Sequence, residues 1–289
     1  MSDTSPNASN PEPGDTPSVE GGEAPEEGAR KRPSFSAPNV DPAQWWAAIL
    51  HALGAETRLH ALPAEEATDE RFLRSMRTLP LIGALVGAIG GLVFMVADVI
   101  DLTEIVSAAL AVAAILIVTR PPHAEALATL IGGGSVEAEG AAIDIVRPAA
   151  VIALILIVVV ELGVIAQVGA ISAARVVLLL IASGAISRAV AVAALDWSAQ
   201  QKPGVATDDP AKYRASLEAA AIALIIGLLC LFRDLDAFIA GTVAALIIGA
   251  ATGLLGPPSA VSSLRRGYVV IQQSSEIGFL VVAAAAMTG

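Results

Sequence analysis

LPLIGALVGAIGGLVFMVADV, residues 79–99, is the stretch that decides the fold. It carries no charge before Asp98, and roughly 20 helical residues rising 1.5 Å each are enough to cross a hydrocarbon core about 30 Å thick. Its glycines at 83, 87, 90 and 91 would weaken a helix in water, yet they suit helices that pack closely in lipid. Arg71, Arg74 and Arg77 stand immediately before it, as expected at a membrane boundary.

Working outward, further apolar runs of spanning character lie at 103–119, 148–168, 173–195, 216–233, 237–256 and 274–288, the first and last of these being short. Residues 42–62 place Trp45, Trp46, Ile49, Leu50 and Leu53 at three-to-four spacing, which predicts an amphipathic helix lying at the headgroup level. The expected fold class is therefore all-α: a polytopic helical membrane protein with about seven transmembrane helices plus an N-terminal interfacial helix. Composition agrees, since 55% of the 289 residues are hydrophobic and only 16% charged, with a mean hydropathy of +0.70.

Charge is concentrated at the front. Residues 1–70 hold thirteen carboxylates against four basic side chains, net −9 of the total −11. Residues 1–41, rich in Pro, Gly, Ser and Glu and without an apolar stretch of signal-peptide type, are expected to be a disordered acidic extension. Residues 42–289 form the expected transmembrane domain. The short basic run at 30–32 reads as solvation, and nothing in the pattern asks for nucleic acid. Cys230 is the one cysteine, so no internal disulfide forms.

Lys and Arg in short loops give the orientation. With a cytoplasmic N-terminus, the inner side receives Arg71, Arg74, Arg77, Arg120, Arg147, Lys202, Lys212, Arg214, Arg265 and Arg266, while the outer side receives Arg233 and Arg175 beside Asp98, Asp101, Glu104, Asp234 and Asp236. Two charges fall deep inside apolar runs, Glu161 in LILIVVVELGVIA and Arg188 in IASGAISRAVAVAAL. Uncompensated charge in lipid is costly, so either the two pair with each other or one serves a substrate.

Four stretches together resemble the cobalamin synthase family, the adenosylcobinamide-GDP ribazoletransferases. ALGAETRLHALP resembles the family's entry segment through Thr57, Arg58 and Leu59, and LRSMRTLPLIGALVGAIGGLVF resembles its first spanning helix. TRPPHAEALATLIGGG is similar to a carboxylate-rich family loop, with His123 on its histidine, Glu125 on its first Asp, and Leu127 and Ala128 matching; Thr129 replaces the second Asp. AAIDIVRPAAVIAL places Arg147 on a family arginine, and the neighbouring family Asp falls on Ile145 or, with a slip of one, on Asp144. Glu161 and the pair Arg265–Arg266 stand where the family commonly has opposite charge.

The resemblance implies transfer of an activated cobinamide to ribazole or its phosphate with release of GMP, at the cell inner membrane, with corrinoid and ribazole substrates and Mg²⁺. It implies His123, Arg147 and Arg188 as catalytic residues and Glu125 and Asp144 as metal ligands. Phosphoryl transfer of this type uses cations held by carboxylates to neutralise developing charge. A divergent, inactive paralogue keeping the scaffold to bind a corrinoid, a lipid or a partner protein is the alternative. A homo-oligomer fits either.

Overall fold

The computed structural model describes residues 42–59, 72, 75–119, 148–200, 214–255 and 264–289. The expected acidic extension, residues 1–41, lies outside the described residues. What is described is helical apart from turns and one isolated bridge.

Helix α1 spans Pro42–Glu56, and a short 3₁₀ turn, Met76–Thr78, leads into α2, Leu79–Val99. Then come α3 (Glu104–Val118), α4 (Pro148–Gly169), α5 (Ala173–Gln200), α6 (Arg214–Cys230), α7 (Leu235–Leu255) and α8 (Leu264–Thr288). Helices α2 to α8 stand at the seven expected positions. Met76–Val99, Ala173–Trp197, Leu235–Leu255 and Gly267–Thr288 are each long and apolar enough to cross a membrane, and Glu104–Val118 and Leu154–Gly169 are shorter apolar helices. Large side chains such as Leu92, Val96, Ile155, Leu156, Ile225, Leu229, Ile239 and Ile247 point outward, a surface suited to lipid and not to water.

Two elements differ most from the expected bounds. Helix α1 stops at Glu56, where the Thr57 hydroxyl donates to the Leu53 carbonyl at 2.7 Å and the chain turns extended. Helix α8 begins at Leu264, ten residues before the expected start. The reason is that the polar residues Gln272, Gln273, Ser274, Ser275 and Glu276 interrupt the apolar pattern, while in the fold they lie mid-helix against neighbouring helices.

Helix α5 is the hub, packed against α2, α6, α7 and α8 and more lightly against α4. Its contact with α2 is made backbone to backbone. A Cβ built on Gly83 would sit 1.9 Å from the Gly184 carbonyl oxygen, and one on Gly87 would sit 2.1 Å from that of Leu180. Without side chains between them the helices approach to contact distance, and van der Waals packing replaces the hydrophobic effect that lipid cannot supply. The turn after α2 closes through Asp101 at φ 60°, a left-handed residue whose N–H reaches the Asp98 carbonyl at 3.0 Å.

The bundle has two distinct ends. At one, Arg77 stacks 4.6 Å over the Trp45 ring and lies 3.8 Å from Glu218, which also accepts from Arg214 at 2.8 Å. At the other, Arg175 meets Asp234 at 3.2 Å and Gln167 donates to Thr288 at 3.0 Å. Alternating antiparallel helices produce this sorting, the same grouping of Arg77 and Arg214 against Arg175 and Asp234 that the loop charges gave.

Candidate functional site

The polar side chains of the bundle converge around α5. Arg188, 2% exposed, lies against the α2 seam because Gly83 leaves room for it: a Cβ on Gly83 would sit 2.6 Å from the Arg188 Cδ. Its Nη1 donates to the Gly184 carbonyl at 3.0 Å, and its Nε donates to Glu56 Oε2 at 3.2 Å. Glu56, 4% exposed, arrives from the last turn of α1. A buried guanidinium satisfied by a carboxylate and a backbone carbonyl is a stable arrangement only while both partners remain.

Glu161 is not the partner of Arg188. The Glu161 carboxylate accepts a hydrogen bond from Gln273 Nε2 at 3.0 Å, and Gln272 Nε2 donates to Glu276. Yet Glu161 and Arg188 do share a wall of one small cavity, with a volume of about 50 Å³, together with Thr119, Gln272, Gln273 and Glu276. Val86, Val112, Ile165, Leu180 and Leu280 supply its apolar lining. A small space with an apolar lining and a few convergent polar groups has room for a few waters or one small group among buried polar side chains.

A small clasp ties this region to the loop singled out in the sequence. Thr57 and Thr119 form an isolated antiparallel bridge, and the Arg58 N–H donates to the Val118 carbonyl at 2.9 Å. The end of α1, carrying Glu56, is thus fastened to the end of α3, where the loop with His123 and Glu125 departs.

His123, Glu125, Asp144 and Arg147 lie outside the described residues. Among the described residues, no three His, Cys, Asp or Glu side chains are grouped so as to hold a metal ion. Arg188 lines the cavity, engaged by Glu56 and the Gly184 carbonyl. Sequence reasoning missed Glu56, hidden inside an expected surface helix, and the α8 face Gln272, Gln273 and Glu276. For the latter a signal existed: five polar residues flanked on both sides by apolar runs, GYVVI and IGFLVV.

An all-α bundle with long apolar helices and a polar cavity among them defines a multi-pass membrane protein. The sequence pattern of one such family, CobS, cobalamin-5-phosphate synthase, matches residues 48–257, and the chain belongs to that family. That match spans the helices from within α1 to the end of α7. No curated protein and no solved structure matches the chain.

Proposed function

We propose that the protein acts in the late steps of cobalamin synthesis as an adenosylcobinamide-GDP ribazoletransferase, in the cell inner membrane with its N-terminus cytoplasmic. The observation that carries this reading is family membership over residues 48–257. The clasp of Thr57 on Thr119 supports it, because it fixes the departure point of the loop that matches the family's reactive segment.

In the reaction, the ribazole hydroxyl oxygen bonds to the phosphorus nearer cobinamide, the bond from that phosphorus to the bridging oxygen breaks, and GMP leaves with that oxygen. His123 takes the hydroxyl proton, and Arg147 pairs with a phosphate oxygen. Glu125 and Asp144 would hold Mg²⁺, which would supply charge neutralisation on the diphosphate. Arg188, with its donors directed at Glu56 and Gly184, is a positioning residue: it anchors the end of α1 and, through the clasp, the start of the reactive loop.

The engagement of Arg188, together with Thr129 in place of a family Asp, favours a second reading, a non-enzymatic relative that binds a corrinoid, a lipid or a partner on the same scaffold. One assay separates the two. Full-length protein in detergent, given adenosylcobinamide-GDP and ribazole, should release GMP in a magnesium-dependent manner, and His123→Ala should lower the rate by 10²-fold or more, roughly the contribution of a general base. No GMP beside an active homologue, with corrinoid binding retained, overturns the transferase reading in favour of the scaffold.

A further inference from the structure

The clasp between the ends of α1 and α3 carries a cation that the fold does not use. Thr57 and Thr119 pair across it and both are buried, Thr119 against the cavity. Side chains alternate across extended backbone, so Arg58 stands on the side away from Thr57, where it is exposed. Its backbone is fixed from both directions: the Arg58 N–H donates to the Val118 carbonyl at 2.9 Å, and the Leu59 N–H donates to the Thr57 hydroxyl at 3.2 Å. The ion pairs among the described residues are Arg77–Glu218, Arg175–Asp234, Arg188–Glu56 and Arg214–Glu218, and Arg58 takes part in none of them. Arg58 is also recessed. Helix α3 has 15 residues and α2 has 21, so at 1.5 Å per residue α3, returning from the turn after α2, stops roughly 9 Å short of the start of α2. Arg77 stands just before that start, whereas the clasp lies deeper, with Leu59 beside it 55% exposed. At such a depth a cation without a counter-charge is costly, and the planar fork of a guanidinium matches phosphate oxygens two at a time.

We propose that Arg58 is a phosphate-binding residue, its guanidinium pairing with the oxygens of a phosphate or diphosphate brought to the end of α3. The anion supplies the counter-charge that the protein does not, and a backbone already held by Thr57 and Val118 lowers the cost of ordering the site. Two sources share this chemistry: the diphosphate of a nucleotide-activated substrate and the headgroup of an anionic phospholipid. In the first case the inference rests on the transferase reading and adds to it a residue that holds the diphosphate.

The probe is inorganic diphosphate, titrated calorimetrically into full-length protein held in dodecyl maltoside, a detergent with neither charge nor phosphate. Wild type should saturate one site, and Arg58→Gln should weaken it about tenfold or more, as loss of a charge-assisted pair does, with Arg58→Lys between the two. Arg233→Gln, which removes an exposed cation from the opposite end of the bundle, should bind as wild type does. Phosphatidylglycerol added to the micelles is the second arm: if the headgroup is the source, it should raise the melting temperature of wild type but not of Arg58→Gln, and diphosphate should fail to saturate wild type. Without ligand all variants should melt together, because the Arg58 side chain is exposed and the bond to Val118 is made by backbone. In an active enzyme Arg58→Gln should raise KM for adenosylcobinamide-GDP about tenfold with a smaller change in kcat. Wild type that releases no GMP yet binds diphosphate through Arg58 ends the transferase reading and leaves this one standing. No response to either ligand, or responses equal in wild type and Arg58→Gln, overturns the proposal. Should Arg58→Gln fail to fold, a loss of affinity in Arg58→Lys supports the proposal and an unchanged affinity overturns it.

Discussion

Helix α5 shows two faces to its neighbours, and they differ in what holds them. Against α2 the contact is dry: Gly83 and Gly87 meet Gly184 and the Leu180 carbonyl with no side chain between. Toward α4 and α8 the neighbours bring Glu161, Gln272, Gln273 and Glu276 to an open cavity, and Arg188 marks the border between the two regions. Lipid provides no hydrophobic drive to bring helices together, so the seam is built from shape. The cavity spends stability on polar groups that packing alone does not need, and polar groups retained within a span are the usual mark of function. Substitutions on the two faces should therefore behave in opposite ways.

The largest effect is expected at the seam. Gly184→Leu forces a side chain into space where even a Cβ would lie 2.3 Å from the Gly83 carbonyl oxygen. No rotamer removes a clash made by the Cβ itself, and overpacking of this kind exceeds the usual 1–3 kcal/mol, at roughly 4 kcal/mol or more. Size-exclusion chromatography of detergent-solubilised protein should show loss of the monodisperse peak. A well-folded Gly184→Leu protein would mean that α2 and α5 separate easily, and the contrast between the faces would fall.

Next in size is the border. Glu56→Ala leaves the Arg188 guanidinium buried with only the Gly184 carbonyl, which should cost about 3–5 kcal/mol, because removing one partner strands the other charge. Replacing both, as Glu56→Leu with Arg188→Met, should recover most of that loss in thermal melts. A double variant as unstable as the single one would show that the pair is held by something other than its own charge balance. If Arg188 anchors the reactive loop, Glu56→Ala should also lower the rate of GMP release with little change in KM for ribazole.

These two faces were not equally legible in the sequence. The seam was, in outline: the glycines at 83–91 read as a close-packing helix, and apolar length alone located α2 to α7 to within a few residues. Apolar runs are local, and lipid imposes helix on them because every backbone group must be bonded within the segment. The cavity was not legible, because it depends on which helices become neighbours. Glu161 and Arg188 stood out as deep charges and invited pairing, whereas the fold gives Arg188 to Glu56 from α1, and Glu161 to Gln273 from α8. Glu56 sits 132 positions from its partner, a separation at which periodicity carries no information. The polar run 272–276 broke the apolar pattern and so hid the start of α8, although a polar run inside two apolar ones is what an internal site in a span looks like.

A smaller effect, of opposite sign, is expected inside the cavity. Glu161→Leu removes a carboxylate from a span and adds apolar surface where Val86 and Ile165 already lie. Replacing buried polar groups by well-packed apolar ones is often neutral or stabilising, so thermal stability should stay level or rise by about 1 kcal/mol, partly offset by the stranded Gln273 amide. A marked loss would show that Glu161 is structural, and the two faces of α5 would no longer differ in kind.

The smallest effect belongs to the far end of the bundle. Arg175 and Asp234 lie 3.2 Å apart, but the arginine side chain is 36% exposed, so solvent screens the pair and two long side chains lose entropy in holding it. Arg175→Ala should change stability by less than about 1 kcal/mol, within the range of exposed pairs. Its use lies in placement and not in energy. Arg175 joins the start of α5 to the turn before α7, so cysteines at 175 and 234 should cross-link in intact membranes, while a cysteine at 175 and one at 218 should not. A 175–218 cross-link would place both ends of α5 on one side, and the antiparallel order that brings α4, α5 and α8 around the cavity would have to be redrawn.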